Sequence, residues 1–191
     1  MIELKRLCAT DALWSETERL YIVAFPPEER RSTERMRQLA ADGVLRVEAV
    51  VKDGVFCGFL TWWDFDDFVY GEHFAVVQEC RGTGIGGDVI ERFVAMSAGR
   101  RVVIEVELPT GDWERRRIEF YKRHGFETAD FVYTQPPYEE GRASVPMHIM
   151  THGQSLSAEE FVRVRNRIYA EVYGISSVEE YILRNNRVQK T

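Results

Sequence analysis

Apolar and polar positions along this chain recur with two periods, near 3.6 and near 2, and each change of period marks a new element. Residues 2–7 read as a short strand. Leu13, Trp14, Thr17, Leu20, Tyr21 and Ala24 then recur at helical spacing until Pro26-Pro27 ends the helix. A second helix is expected over 33–41, stopped by Gly43, ahead of an extended run over 44–51. Asp53-Gly54 between two apolar runs is a hairpin signal, so 45–51 and 55–64 should pair antiparallel. Asp64, Asp66 and Asp67 form the next turn, and 72–77 returns as a strand that leads into a glycine cluster.

From Gly84 a helix should follow, with Val89, Ile90, Phe93, Val94 and Met96 as its buried stripe and its end near Gly99. A strand over 102–108, a helix over 113–124 capped by Gly125, and an extended run over 126–133 complete a strand-helix-strand-helix-strand series. Such a series implies a crossover, and hence a parallel pair after an antiparallel meander. Pro136-Pro137 and Gly141 mark a loop before the last strand, 145–150. Ser157 with Glu160, and Ser177 with Glu180, match the capping-box pattern, which sets helices over 158–172 and 178–185. The fold class is therefore mixed α/β (α+β), with a main domain over 1–152 and a C-terminal helical extension over 153–191. Phe161, Val164, Ile168 and Val172 give that extension one apolar face. Its expected seat is the domain's own sheet, with a partner subunit in a homodimer, or a cleft it would cover, as alternatives.

Composition narrows the class. The 191 residues are 45% hydrophobic and 29% charged, the balance of one compact domain rather than a disordered chain. A net charge of −6 argues against a broad footprint for nucleic acid or an anionic membrane. The start of the chain lacks the pattern of an export leader, and no 18-residue apolar run occurs. Cys8, Cys57 and Cys80 are odd in number and lack metal-ligand spacing, so no metal is expected and a reducing, cytoplasmic setting fits.

The candidate chemistry lies in Gln78-Glu79-Cys80-Arg81-Gly82-Thr83-Gly84-Ile85-Gly86-Gly87, a short loop that becomes the glycine-rich entry to a helix. The first amides of a helix have no intrahelical acceptor and sit at the positive end of its dipole. Glycines let an anion approach the backbone, and Arg81 adds a charge. Gly82, Gly84 and Gly87 satisfy the G-x-G-x-x-G dinucleotide pattern literally, and Glu105 and Glu107 lie near the offset of a ribose-binding acid. That pattern requires its first glycine to follow a strand at once within a parallel unit. Here four residues intervene and hairpins precede, so the dinucleotide reading is set aside.

Arg81-Gly82-Thr83-Gly84-Ile85-Gly86 resembles instead the R/Q-x-x-G-x-G/A signature of the GNAT superfamily of N-acetyltransferases. Phe120-Tyr121-Lys122-Arg123-His124-Gly125-Phe126 resembles that superfamily's second hallmark, a helix ending in a tyrosine before Gly-Phe. The resemblance covers about 45–135 and implies a mostly antiparallel sheet whose central parallel strands splay apart. It implies acetyl-CoA as co-substrate, its pyrophosphate held at Arg81, Gly82, Thr83, Gly84, Ile85 and Gly86. The pantetheine arm would bond backbone groups of Val76 and Val77, and Tyr121 would serve as general acid. Glu114 and Arg117 stand where many members have Asn and Ala.

An amine acceptor needs a base as well, since an alkyl ammonium of pKa about 10.4 is no nucleophile. Glu72, three positions before Ala75, is the candidate, assigned to the same strand face as Ala75 at the splayed end, with His73 on the opposite face. Acceptor choice is expected from the early helices, the segment 62–67 with Asp64, Asp66 and Asp67, and the loop 133–138, where acid beside aromatics suits a cationic amine. The implied activity is N-acetyltransfer from acetyl-CoA by direct attack. The alternative is a non-catalytic acyl-CoA-binding sensor or interaction module of the same fold.

Overall fold

The computed structural model describes residues 1–8 and 10–188, so Ala9 and the last three positions of the extension lie outside the described residues. The elements run β1 (Ile2–Arg6), α1 (Trp14–Ala24), a tight helical turn (Pro27–Glu29), α2 (Thr33–Ala41), β2 (Leu45–Lys52), β3 (Val55–Asp64) and β4 (Phe68–Val76). After a second tight turn at Gln78–Cys80 come α3 (Ile85–Met96), β5 (Arg101–Glu107), α4 (Asp112–Arg123), β6 (Phe126–Thr128), β7 (Tyr133–Gln135), β8 (Val145–His152), α5 (Ala158–Glu171) and α6 (Val178–Val188).

Among the described residues eight strands make one sheet in the order β1-β2-β3-β4-β5-β8-β6, with β7 also on β8. Every pairing is antiparallel except that of β4 with β5. The β2–β3 hairpin turns at Asp53 and Gly54 with φ of 50° and 82°, the two positive values that the Asp-Gly signal calls for. Each face of the sheet buries its own helices. Trp14 and Tyr21 of α1, Met36 of α2 and Phe161, Val164 and Ile168 of α5 share a core with Val47, Phe59, Tyr70 and Val103. On the other face Ile90 and Phe93 of α3 and Ile118 of α4 pack on Leu60, Val69 and Ile104. The start of α5 is fixed by a full capping box between Ser157 and Glu160.

Two departures from the sequence pattern shape the site. The run 126–133 is not one strand. Between Thr128↔Met150 and Tyr133↔Met147 the chain advances five residues while β8 advances three. The two excess residues bow outward, and Phe131 stacks on Phe161 of α5 with ring centres 4.5 Å apart. The second departure is a bulge in β4. Thr61 pairs with His73 and Trp62 with Gly71, which leaves Glu72 as an extra residue. Strict alternation would put Glu72 and Ala75, three apart, on opposite faces. The bulge restores their shared face and brings His73 onto it as well, correcting the expectation that His73 points away.

The same bulge ends the parallel pairing. β4 and β5 are bonded from Phe68↔Arg101 to Gly71↔Ile104 and no further, so 72–76 diverges from 105–107. Glycine is required where that divergence begins, because a Cβ on Gly71 would lie 2.9 Å from the Phe93 ring and 3.1 Å from the Ile104 side chain. On the other edge of β4, a Cβ on Gly58 would meet the Ala75 carbonyl oxygen at 2.2 Å. Gly58→Ala must therefore displace backbone at the splayed end. Urea denaturation is expected to show a loss above about 2 kcal/mol, while Val55→Ala at the exposed start of the same strand changes stability by less than about 0.5 kcal/mol.

Candidate active site

The divergence of β4 from β5 opens a cleft of about 520 Å³. One wall is residues 72–76 of β4, and the other is Glu105 and Glu107 of β5. The C-terminal part of α1 and Glu29 close one side, Gln135 and Tyr138 another, and Trp113, Arg116, Arg117, Phe120 and Tyr121 of α4 a third. Of the expected catalytic and cofactor-binding residues, Glu72, Val76, Arg81 and Tyr121 line this one cleft, whereas Val77, Gly82, Thr83, Gly84, Ile85 and Gly86 are not part of its lining.

The glycine loop lies where β4 ends. Gly82 and Gly84 take φ of 74° and 86°, left-handed values that turn the chain into α3. Thr83 Oγ1 donates to the Cys80 carbonyl at 2.7 Å, bracing the loop from within. Asp88 N–H reaches the Gly84 carbonyl at 3.2 Å, so the amides of Ile85, Gly86 and Gly87 precede the first intrahelical bond and are available to an anion. The side chain of Ile85 is buried on Val89, Val50 and Cys57 and anchors this end of the helix. Gly86 approaches the Phe120 ring, and Gly87 allows the imidazole of His124 to lie where a Cβ would be only 2.8 Å from it. The glycines thus serve both loop conformation and the close docking of α3 on α4.

Alternate residues of a strand turn their backbone groups to opposite edges. Val77 N–H donates to the Cys57 carbonyl at 3.0 Å on the β3 side, so Val76 presents its groups to the open gap. There the Val76 carbonyl accepts from Arg81 Nε at 3.0 Å, and the Arg81 Nη atoms have no partner among the described residues. Val77 was expected to share in holding a pantetheine arm. Its carbonyl also accepts from Cys80 N–H at 3.0 Å, so both its backbone groups are already engaged. Beneath the loop, Cys80 Sγ lies 2.9 Å from Cys57 Sγ, and burial pushes the Cys57 thiol up to about 11.

Deeper in the cleft Glu72 is only 1% exposed in its side chain and forms an ion pair with Arg31, itself 4% exposed. Tyr138 OH donates to the same carboxyl at 3.0 Å and Thr61 Oγ1 at 3.4 Å. The Arg31 guanidinium lies 4.9 Å from the Tyr138 ring centre and 5.4 Å from that of Trp63. These two rings flank a side chain whose Nε and Nη1 have no hydrogen-bond acceptor. Burial alone would raise the Glu72 carboxyl, but the Arg31 charge together with the contacts from His73 and Trp63 outweighs it and holds the group down at about 2. An acid this strong is ill matched to a proton acceptor at neutral pH, which argues against the expected base role and for a standing negative charge.

Beside it, Glu105 accepts hydrogen bonds from Tyr133 and, at 2.6 Å, from Tyr173 just beyond α5. Burial lifts this carboxyl to about 7 against the pull of those phenols. Glu107 is paired with Arg117. Tyr121, half-buried beside that pair, has its phenol pushed up by desolvation to about 12, so it keeps its proton throughout the neutral range.

Sequence reasoning missed Arg31, whose partner is 41 residues away, and Tyr173, 68 residues from the carboxyl it caps. Glu105 and Glu107 alternate within an apolar strand, a legible sign of an acidic face that the dinucleotide pattern had claimed. The acidic turn is a correction of another kind. Asp64 and Asp67 pair with Arg100 and Arg163 at the far end of β4, roughly 25 Å from Val76 along the strand, and take no part in the cleft. Among the described residues no helix is long and apolar enough to cross a membrane, and no group of three or more candidate metal ligands occurs.

Residues 45–128 match the family description of an acetyltransferase (GNAT) domain. A solved GNAT-family protein of Bacteroides thetaiotaomicron, with a proposed acetyltransferase activity, is 36% identical and superimposes with a TM-score of 0.84 over 92% of this chain and 99% of that one. Bacillus subtilis YjbC, also named for a proposed acetyltransferase activity, is 28% identical over 110 residues. That match takes in 56% of this chain and spans about half, 55%, of the length of the curated relative. A GNAT-family acetyltransferase of Elizabethkingia anophelis, solved with acetyl-CoA bound, shares the fold at 17% identity and a TM-score of 0.57, over 80% of this chain and 98% of that one.

Glu72→Gln leaves the Arg31 charge buried and unmatched, and is expected to destabilise the protein by about 3–5 kcal/mol at neutral pH. A carboxyl held down in the folded state stabilises it above the ordinary value of 4.5 and loses that contribution as pH falls towards about 2. The gap between variant and wild type in chemical denaturation should therefore close across that window. A gap that stays constant would rule out the pair as its source.

Proposed function

The chain belongs to the GNAT acetyltransferases, and from that premise we propose that it moves an acetyl group from acetyl-CoA to a primary amine by direct attack in the cleft between β4 and β5. The observation that carries this reading is that one cleft is lined by Arg81 at the start of the glycine loop, by Val76 with its N–H towards the gap, and by the Tyr121 phenol. The helix-start amides of Ile85, Gly86 and Gly87, with Arg81, suit a pyrophosphate, two negative charges at the positive end of α3. The Val76 N–H, facing the gap, suits an amide carbonyl of the pantetheine arm by strand-like addition. Acetyl-CoA brings an activated acetyl group as a thioester.

Tyr121 is then the donor at the leaving sulfur. A phenol near 12 is a weaker acid than an ordinary thiol at about 8.5, so it first supports the developing thiolate by a hydrogen bond and completes transfer as water reprotonates it. Glu72, its charge balanced by Arg31, holds the Tyr138 hydroxyl, and the Tyr138 ring at the cleft wall suits the acceptor's ammonium. The residues lining the cleft include no cysteine or serine to take the acetyl group first, which favours direct transfer among the described residues.

The test is thiol release from acetyl-CoA with a panel of polyamines, amino acids, aminoglycosides and peptide lysines. Tyr121→Phe is expected to lower kcat on the order of 10²-fold with little change in the KM for acetyl-CoA. Full activity in that variant removes the phenol from the mechanism. Calorimetric binding of acetyl-CoA without turnover on any amine would support the sensor alternative instead, and no heat at all would refute the site.

A further inference from the structure

Four carboxyl groups line the cleft, and their partners sort them. Glu72 is bound to Arg31, Tyr138 and Thr61, Glu105 to Tyr133 and Tyr173, and Glu107 to Arg117. Glu29, half-buried on the tight turn after α1, is the member of the set whose carboxyl has no hydrogen-bond or ion-pair partner among the described residues. Its backbone, by contrast, is pinned. The Glu29 carbonyl accepts from His73 Nε2 at 2.8 Å, its N–H donates to the Pro26 carbonyl at 3.0 Å, and Gln135 Nε2 holds the Glu28 carbonyl at 3.2 Å. A carbonyl only accepts, so His73 carries its proton on Nε2 in this contact. The turn is thereby tied to β4 and β7 while its free carboxylate faces the cleft.

Resting on the acetyl-transfer reading above, we infer that Glu29 is the proton acceptor for the amine substrate. The charged groups around it are Glu28 on its own turn, Glu107 on β5 and Arg117 on α4, with His73 of β4 at its carbonyl. Burial and the Glu107 charge together raise the carboxyl to about 7 against the pull of Arg117, which suits proton exchange near neutrality. The protons balance as follows. Glu29 takes one from the ammonium to free the lone pair and passes it to water. As the C–N bond forms and the C–S bond breaks, a second leaves nitrogen for Glu29 and Tyr121 gives one to sulfur. Glu29 releases this second proton to water as well, water returns one to Tyr121, and the sum is one amide, one thiol and one proton released.

The experiment is the pH profile of kcat/KM for wild type, Glu29→Gln and Glu105→Gln in the thiol-release assay, with the best amine of the panel and thermal melts to establish folding. Wild type is expected to rise through a limb near 7, distinct from any limb near 10 that belongs to the acceptor's own ammonium. Glu29→Gln should lose the lower limb and about 10²-fold of kcat/KM above it, with the KM for acetyl-CoA little changed. Glu105→Gln, which removes the other carboxyl raised to about 7, should keep that limb. A limb retained in Glu29→Gln, or lost in Glu105→Gln instead, overturns the assignment while leaving acetyl transfer intact. No thiol release from wild type with any amine overturns the underlying reading and the base with it.

Discussion

The one extra residue in β4 is the constraint on which the site depends. Without it, β4 and β5 would continue side by side past Gly71 and Ile104, their edges would satisfy one another, and no gap would exist to receive a ligand. With it, the strand twists away, the Val76 N–H faces the gap, and Glu72 and His73 turn to the face that α1 and the turn after it cover. A bulge that exposes edge groups is costly. The Arg31–Glu72 pair, enclosed by Trp63, Tyr138 and Thr61, holds the extra residue's side chain in a single buried arrangement. Opening the sheet and placing a buried ion pair at the opening are thus one structural event.

From that event follows a division of the cleft by charge. At the glycine-loop end the available groups are amide N–H donors and Arg81, a place for negative charge. At the inner end stand carboxylates from three separate parts of the chain. Their surroundings drive them apart in acidity: Glu72 falls to about 2 beside a guanidinium, while Glu29 and Glu105, buried without one at bonding distance, rise to about 7. One chemical group therefore supplies a fixed charge and a titrating one within a single cavity, and the difference comes from partners rather than from residue type.

What the sequence made legible was local. The Asp-Gly hairpin, the glycine turn into α3, the capping box at Ser157 and the tyrosine near the end of α4 each arise from contacts within a few residues, and each lies where the pattern put it. What escaped was long-range or a defect in regularity. Arg31 reads as one of a run of charges after Pro26-Pro27, and nothing nearby signals that it is buried. A bulge has no periodic signature, so the shared face of Glu72 and Ala75 could not follow from counting by twos. The acidic turn misled because β4 begins at Phe68 rather than at residue 72. A strand that long carries Asp64, Asp66 and Asp67 to the opposite edge of the domain.

The C-terminal helices bear on the chemistry as well as on packing. Tyr173, which follows α5, donates to Glu105, and Tyr169 on that helix donates to the Thr134 carbonyl in the strand that leads to Tyr138. Phe161 of the same helix receives Phe131 from the bowed segment between β6 and β7. The wall of the cleft that carries Gln135 and Tyr138 is therefore held from outside by α5. The acidity of Glu105 is in turn moderated by a phenol that α5 delivers. Removing the extension would leave that carboxyl buried with one donor fewer and its cleft wall unsupported, so this wall of the cleft is built jointly by the sheet and by helices outside the matched family segment.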